Sequence, residues 1–214
     1  MNTILRILFF MVFVKPLVQV ILGLQVSNRE KLPPAGPAII VANHNSHLDT
    51  LVLMSLFPAL QLAHIRTVAN ANYFLSNPWL AWFATRIIGA IPIQKGSGLG
   101  SHNALNDVVN ALRDRNIVIL YPEGTRGEPE KLEPFKRGVA VLTTVISGVP
   151  VYPVYMHGLG KALPKGEKLL VPFICNVLIG DPIDRICTNG SKLMRELQEE
   201  MEQLASKGNF PEWS

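Results

Sequence analysis

The chain opens on MNTILRILFFMVFVKPLVQVILGLQV, an apolar stretch interrupted by Arg6 near its start and by Lys15-Pro16 in its middle. Its longest uncharged run, Ile7 to Val14, falls short of the roughly 20 apolar residues that a full membrane span needs, and a helix breaker follows it. No small-residue cleavage site follows the apolar core, so the stretch does not read as a removable secretory signal. The pattern predicts two half-helices dipping into one leaflet, with Lys15 reaching toward the head groups. The alternatives are a tilted single span and a core helix docked on the rest of the chain.

After the turn Pro33-Pro34-Ala35-Gly36-Pro37 the pattern changes to that of an α/β domain. Short continuous apolar runs predict buried strands at Ala38 to Ala42, Ile65 to Ala69, Ala90 to Ile93 and Asn116 to Tyr121, with later strands in VYPVYM and LVPFICNVLIG. Helical periodicity predicts helices at about Ser46 to Phe57, Ser101 to Arg113, Gly138 to Ser147 and Ser191 to Ala205, and helical pieces around Asn72 to Arg86. Alternating strands and helices predict a single α/β domain, a largely parallel mixed sheet flanked by helices, with an N-terminal membrane-associated helical segment. The expected boundaries are 1–27 for that segment and 28–214 for the domain.

Composition agrees with this picture. The 214 residues suffice for one well-buried domain, and two would each be small. Hydrophobic residues make up 48% of the chain, which leaves apolar surface for lipid, and the formal charge of +4 suits an anionic membrane face or an acidic substrate. Nucleic acid would also attract that charge, but no basic stripe or recognition motif accompanies it, so a nucleic-acid partner is not expected. The two cysteines, Cys175 and Cys187, form no C-x-x-C pair and have no histidine cluster nearby, and no carboxylate cluster stands ready for magnesium. No metal or cofactor is expected. Cys175 lies in an alternating apolar run and reads as a core thiol.

Polar chemistry concentrates at the ends of two predicted strands. The first cluster is Asn43-His44-Asn45-Ser46-His47-Leu48-Asp49. In one continuous helix, five steps of about 100° would put His44 and Asp49 on different faces. His44 must precede the helix to meet Asp49, and Ser46 suits the N-cap. A histidine near neutral pKa can take the proton of an attacking alcohol, and a carboxylate can fix its tautomer. Ser46-x-x-Asp49 is equally a capping box, in which the carboxylate merely closes the first turn. His47 reads as a solvated or packing residue.

The second cluster is Tyr121-Pro122-Glu123-Gly124-Thr125-Arg126-Gly127. Its glycines allow backbone amides to approach a ligand, and Arg126 can clamp a phosphate through two parallel hydrogen bonds. Glu123 is expected to hold Arg126 or an acceptor hydroxyl; an ordinary loop ion pair between the two is the simpler alternative. With no G-x-S-x-G elbow to supply a serine nucleophile, direct attack by a histidine-activated hydroxyl is preferred over a covalent enzyme intermediate.

Taken in order, these motifs make the chain resemble the lysophospholipid acyltransferases, the 1-acyl-sn-glycerol-3-phosphate acyltransferase family. Asn43, His44, Ser46 and Asp49 match NH-x-S-x-x-D, and Pro122-Glu123-Gly124-Thr125-Arg126 matches the phosphate-loop motif, followed by Phe135-Lys136-Arg137-Gly138. Val149-Pro150-Val151-Tyr152-Pro153-Val154 and Ile179-Gly180-Asp181-Pro182-Ile183 match the later motifs. The resemblance implies a catalytic His44/Asp49 dyad, an acyl-CoA or acyl-carrier-protein donor, and transfer to the 2-hydroxyl of a lysophosphatidate-like membrane lipid. Asn43, Ser46, Lys95, Glu123, Gly124, Thr125 and Arg126 form the expected substrate-binding set.

The second motif departs from the pattern. The family's usual arginine is replaced in Gly89-Ala90-Ile91-Pro92-Ile93-Gln94-Lys95 by Lys95, which keeps the charge but loses the bidentate fork. That opens another acceptor, such as a lyso-ornithine lipid or a lysophospholipid with a larger head group. A catalytically silent membrane-binding relative is the reading from a different class, and retention of His44, Asp49 and Glu-Gly-Thr-Arg speaks against it. Trp79 and Trp82 read either as head-group-level aromatics or as helix packing on the sheet. The expected location is the cytoplasmic face of a membrane, anchored by the N-terminal segment.

Overall fold

Seven short strands, most of them placed where the apolar runs predict, build one sheet in a computed structural model that describes residues 2–74, 77–93, 102–128, 131–146, 148–163, 169–183, 190–208 and 210. In chain order the elements are helix α1 (Thr3–Ile21), β1 (Gln25–Ser27), β2 (Ala38–Ala42), α2 (Asp49–Ser55), β3 (Ile65–Asn70), α3 (Ala71–Phe74), α4 (Pro78–Phe83) and β4 (Ala90–Ile93). There follow α5 (His102–Arg113), β5 (Ile117–Leu120), α6 (Gly138–Val145), β6 (Val151–His157), α7 (Leu159–Ala162), β7 (Asn176–Ile179) and α8 (Gly190–Lys207).

The strand order is β1-β7-β6-β2-β5-β3-β4. Every neighbouring pair is parallel except β6 with β7, which is antiparallel. The expected α/β fold with a largely parallel mixed sheet is therefore present. Both faces of the sheet are covered. On β2, Ala38, Ile40 and Ala42 pack into the core beneath α1 and α2, while Ile39 and Val41 pack into the opposite core with residues of α5, α6 and α8. A strand buried on both faces has no polar side to display, which is why AIIVA and IVIL read as unbroken apolar runs.

The N-terminal segment departs from the expected half-helices. It is one helix through Lys15 and Pro16, α-helical over Thr3–Phe9 and widened to π-type turns at Phe10–Val14 and Leu17–Ile21. Pro16 has no N–H to donate, and the wider turns carry the helix past it; the Lys15 N–H, for example, reaches back to the Phe10 carbonyl. By length and composition this helix is apolar enough to cross a membrane. One face nevertheless docks on the domain: Phe10, Val14, Val18 and Leu22 are buried in the core that holds α2. The other face exposes Ile4, Leu8, Val12, Phe13 and Val20. A docked face and an exposed apolar face thus lie on opposite sides of one helix.

Arg6 pins that helix. Its fully buried guanidinium donates from Nη2 to the carbonyls of Ile65 (3.0 Å) and Ile88 (2.9 Å). Gly89 leaves room for this: its φ is +75°, and a Cβ there would lie 3.1 Å from both Arg6 Nη1 and the Ile65 oxygen.

Other boundaries also move. Gln25–Ser27, expected to belong to the membrane-associated segment, is β1 and pairs with β7, so the chain joins the sheet before residue 28. Within the run predicted from LVPFICNVLIG only Asn176–Ile179 is strand; Cys175, just before it, is buried as expected. The helical pieces expected around Asn72 to Arg86 are α3 and α4, the latter continuing as a π-type turn over Ala84–Ile88. Lys95 and Cys187 lie outside the described residues.

Candidate active site

β2 runs between β5 and β6, parallel to both, so the loops leaving their carboxyl ends are neighbours. The register pairs Val41 with Leu120. Three residues further along each chain stand His44 and Glu123, the leading residues of the two polar clusters. Parallel α/β sheets place their sites at this end because the helices that follow start there.

His44 is fixed from several directions. Its backbone N–H donates to Oε1 of Glu123 (3.3 Å), and its carbonyl accepts from the Gly127 N–H (3.1 Å). Nδ1 lies 2.8 Å from Oδ2 of Asp49. That bond leaves Nε2 as the nitrogen turned away from the carboxylate. His44 precedes α2 and Asp49 is the first residue of it, the arrangement the five-residue spacing demands.

The capping alternative is realised too, by the same oxygen. Oδ2 of Asp49 also accepts the N–H groups of Asn45 (2.7 Å) and Ser46 (2.9 Å). Asp49 is fully buried, and its other oxygen has no hydrogen-bond partner among the described residues. The N-cap itself is Leu48 rather than Ser46, and the Leu48 side chain makes no capping bond. Ser46 instead donates from Oγ to the Leu163 carbonyl (2.9 Å) and accepts the Leu48 N–H (3.3 Å).

Asn43 and Ser46, expected in the substrate-binding set, turn their polar groups to the backbone. Both are buried, and the Asn43 amide is spent on the Met156 backbone, donating to its carbonyl and accepting its N–H at 2.7 Å each. They support the loop from beneath and tie it to β6 and to the chain after α7. A short amide or hydroxyl beside a strand end meets unpaired backbone first, and burial demands that those groups be satisfied.

Glu123 is only 3% exposed and bonds the backbone of His44 rather than Arg126; its Oε2 has no hydrogen-bond partner among the described residues. Burial above all pushes its pKa up to about 8, against a downward pull from the His44 N–H, and the nearby Asp49 and Glu133 carboxylates add smaller upward pushes. Below that pH Glu123 is a neutral acid. Gly124 takes a φ of +72° in the turn closed by its N–H to the Tyr121 carbonyl, and the Lys136 side chain lies over it. Gly124 and Thr125 are exposed.

Arg126 meets a residue assigned no role by the sequence. Its guanidinium donates to Nε2 of His47. Partial burial first and the Arg126 charge second push the His47 pKa down, which keeps the acceptor lone pair available. Tyr121 is the other unassigned member: its ring stacks on the His44 imidazole, centroids 4.1 Å apart and planes 20° from parallel. No spacing rule links Tyr121 to His44; only the β2–β5 pairing brings them together. Among the described residues, no group of three or more His, Cys, Asp or Glu is placed to hold a metal ion.

A histidine–carboxylate pair beside an arginine at the end of a parallel sheet invites comparison with known proteins. A family model described as Acyltransferase matches residues 23–157. The chain belongs to the acyltransferase family. Among its relatives, a chloroplastic 1-acyl-sn-glycerol-3-phosphate acyltransferase of Brassica napus is 29% identical over 160 residues, covering 74% of this chain and 44% of that protein. The human 1-acyl-sn-glycerol-3-phosphate acyltransferase alpha is 29% identical over 160 residues, 74% of this chain and 54% of that one. This acyltransferase chain thus spans about half the length of these relatives. The crystal structure of a 1-acyl-sn-glycerophosphate acyltransferase from Thermotoga maritima shares the fold, with a TM-score of 0.77 at 23% identity, covering 97% of this chain and 81% of that one.

Proposed function

We propose that the protein transfers a fatty acyl group from an acyl thioester, acyl-CoA or acyl-carrier protein, to the 2-hydroxyl of 1-acylglycerol-3-phosphate, forming phosphatidate at the cytoplasmic face of a membrane. The observation that carries this reading is the His44–Asp49 pair, 2.8 Å apart, on a loop bonded through both its backbone groups to the Glu123–Gly127 loop that presents Arg126. The names of the relatives supply the acceptor.

In this mechanism His44 Nε2 takes the proton of the acceptor hydroxyl as its oxygen bonds the thioester carbonyl carbon. Asp49 holds the proton-bearing Nδ1 and stabilises the imidazolium. The carbon–sulfur bond then breaks, and the imidazolium returns the proton to the departing thiolate. No cofactor or metal takes part. Arg126 holds the acceptor phosphate, with the exposed Gly124–Thr125 backbone beside it.

The apolar face of α1 supplies the contact with lipid. Phe9 of α1 packs edge-to-face on Phe83 of α4, 5.2 Å between centroids, so exposed Trp79 and Trp82 extend that surface from the neighbouring helix. Aromatics at head-group depth and an apolar helix face are what a leaflet takes up.

The test is turnover by the purified protein, in mixed micelles of lysophosphatidate, with acyl-CoA and with acyl-carrier protein, read as phosphatidate by mass spectrometry. Product with at least one donor, lost in His44→Ala, is expected. No product with either donor would overturn the reading, and product only from an acceptor such as a lyso-ornithine lipid would replace the acceptor while keeping the chemistry.

A further inference from the structure

We propose that Tyr121 is a positioning residue that holds the His44 imidazole by its face; the inference rests on His44 acting as the base. The Nδ1 bond to Asp49 restrains one edge of the ring but lets it rock about that bond. The Tyr121 ring, 4.1 Å away and 20° from parallel, closes one side of that motion. The clamp is itself anchored: the Tyr121 hydroxyl is 2.8 Å from Thr50 Oγ1. Thr50 follows Asp49 in the first turn of α2, so one turn of helix holds both the carboxylate partner and the aromatic one. With the backbone of His44 bonded on both sides to the Glu123–Gly127 loop, Nε2 keeps a single direction. The aromatic face also favours the imidazolium that forms as the hydroxyl is deprotonated.

Three variants separate face from hydroxyl. Tyr121→Leu removes the face; Tyr121→Phe keeps it and drops the Thr50 bond; Thr50→Val drops the same bond from the other side. Because misplacement of a reacting group by about 1 Å costs up to about 100-fold, Y121L is expected to lose roughly 10- to 100-fold in kcat with both KM values within about threefold. Y121F and T50V are expected to stay within about threefold of the wild type in kcat. A second readout needs no turnover: the upfield ring-current shift of the His44 imidazole protons, seen by NMR, should persist in Y121F and collapse in Y121L.

Equal kcat loss in Y121F and Y121L would overturn the proposal, as would an unchanged His44 shift in Y121L. Should Y121L fail to fold, loss of the His44 shift or of kcat in the near-isosteric Y121F does the same. Full turnover in Y121L with a collapsed His44 shift would overturn the proposal too, whereas full turnover in His44→Ala would instead fault the assignment of His44 as base.

Discussion

A single carboxylate oxygen of Asp49 serves His44 Nδ1 at 2.8 Å and also closes the turn before α2 through the N–H groups of Asn45 and Ser46. Catalytic support and loop shape are therefore separable by substitution. An asparagine oxygen in the same place can still accept all three bonds, but it cannot balance an imidazolium. Asp49→Asn is expected to keep its thermal midpoint within a few degrees while kcat falls roughly 10²- to 10⁴-fold, the range for loss of acid–base support. Asp49→Ala also orphans two buried N–H groups and should cost about 1–3 kcal/mol in stability. Paired calorimetry and kinetics on the two variants check this; equal destabilisation would show that charge, not hydrogen bonding, shapes the loop.

The buried Glu123 makes stability depend on pH in a definite direction. Its folded pKa, pushed up to about 8, lies above its ordinary carboxylate value, so between the two the folded chain holds a proton that the unfolded chain has released. Stability from this group is greatest below the unfolded pKa, declines as pH rises toward about 8, and is level above it. Glu123→Gln keeps an acceptor oxygen for the His44 N–H and cannot ionise. The variant should lose that decline, gaining on the wild type by several degrees at pH 8.5, at about 2–4 °C per kcal/mol for a chain of this size. Thermal midpoints from pH 5 to 9 test it, and parallel curves for the two proteins would refute it.

Arg126 is expected to act on binding rather than on the chemical step. Removing a charged hydrogen-bond donor from a phosphate costs about 1.5–3 kcal/mol, so Arg126→Ala should raise the acceptor KM roughly 10- to 150-fold with little change in donor KM. Arg126→Lys should recover only part of this, since an ammonium lacks the fork. His47→Ala removes the residue that accepts from Arg126 and should raise the acceptor KM by a smaller factor. Initial-rate kinetics with each substrate varied in turn distinguish these effects; an equal fall in kcat for every variant would place Arg126 in the transition state instead.

Much of this site was legible from the chain, and the reasons are local. AIIVA and NIVILY had to be buried strands, and a polar cluster directly after such a strand lies at the sheet's functional end. The five-residue gap from His44 to Asp49 correctly required His44 to stand outside the helix. What stayed hidden depends on strand order: β2 sits beside β5, and that alone brings Tyr121 onto His44 and Arg126 onto His47. Glu123 and Arg126, three residues apart, looked like a pair, yet each found a partner on the other loop. The N-terminal helix misled for a different reason. Pro16 reads as a breaker, and only the wider turns around it, with Arg6 buried at its start, let the helix continue and dock.

The two faces of α1 predict opposite consequences for substitutions of the same kind. Phe13, Val20 and Trp79 are 65%, 80% and 82% exposed, so replacing all three by serine removes little from the core. The triple variant should keep its thermal midpoint. It should bind vesicles containing anionic lipid much more weakly in a flotation assay, because each exposed apolar side chain that enters a leaflet gains about 25 cal/mol per Å² transferred. Phe10 is fully buried in the core beneath the sheet. Phe10→Ala should cost about 3–5 kcal/mol of stability. Its binding to vesicles, measured where it remains folded, should be close to wild type, because the exposed face is intact. Undiminished flotation of the triple variant would mean that lipid is met by some other surface, and the apolar face of α1 would then need a different partner.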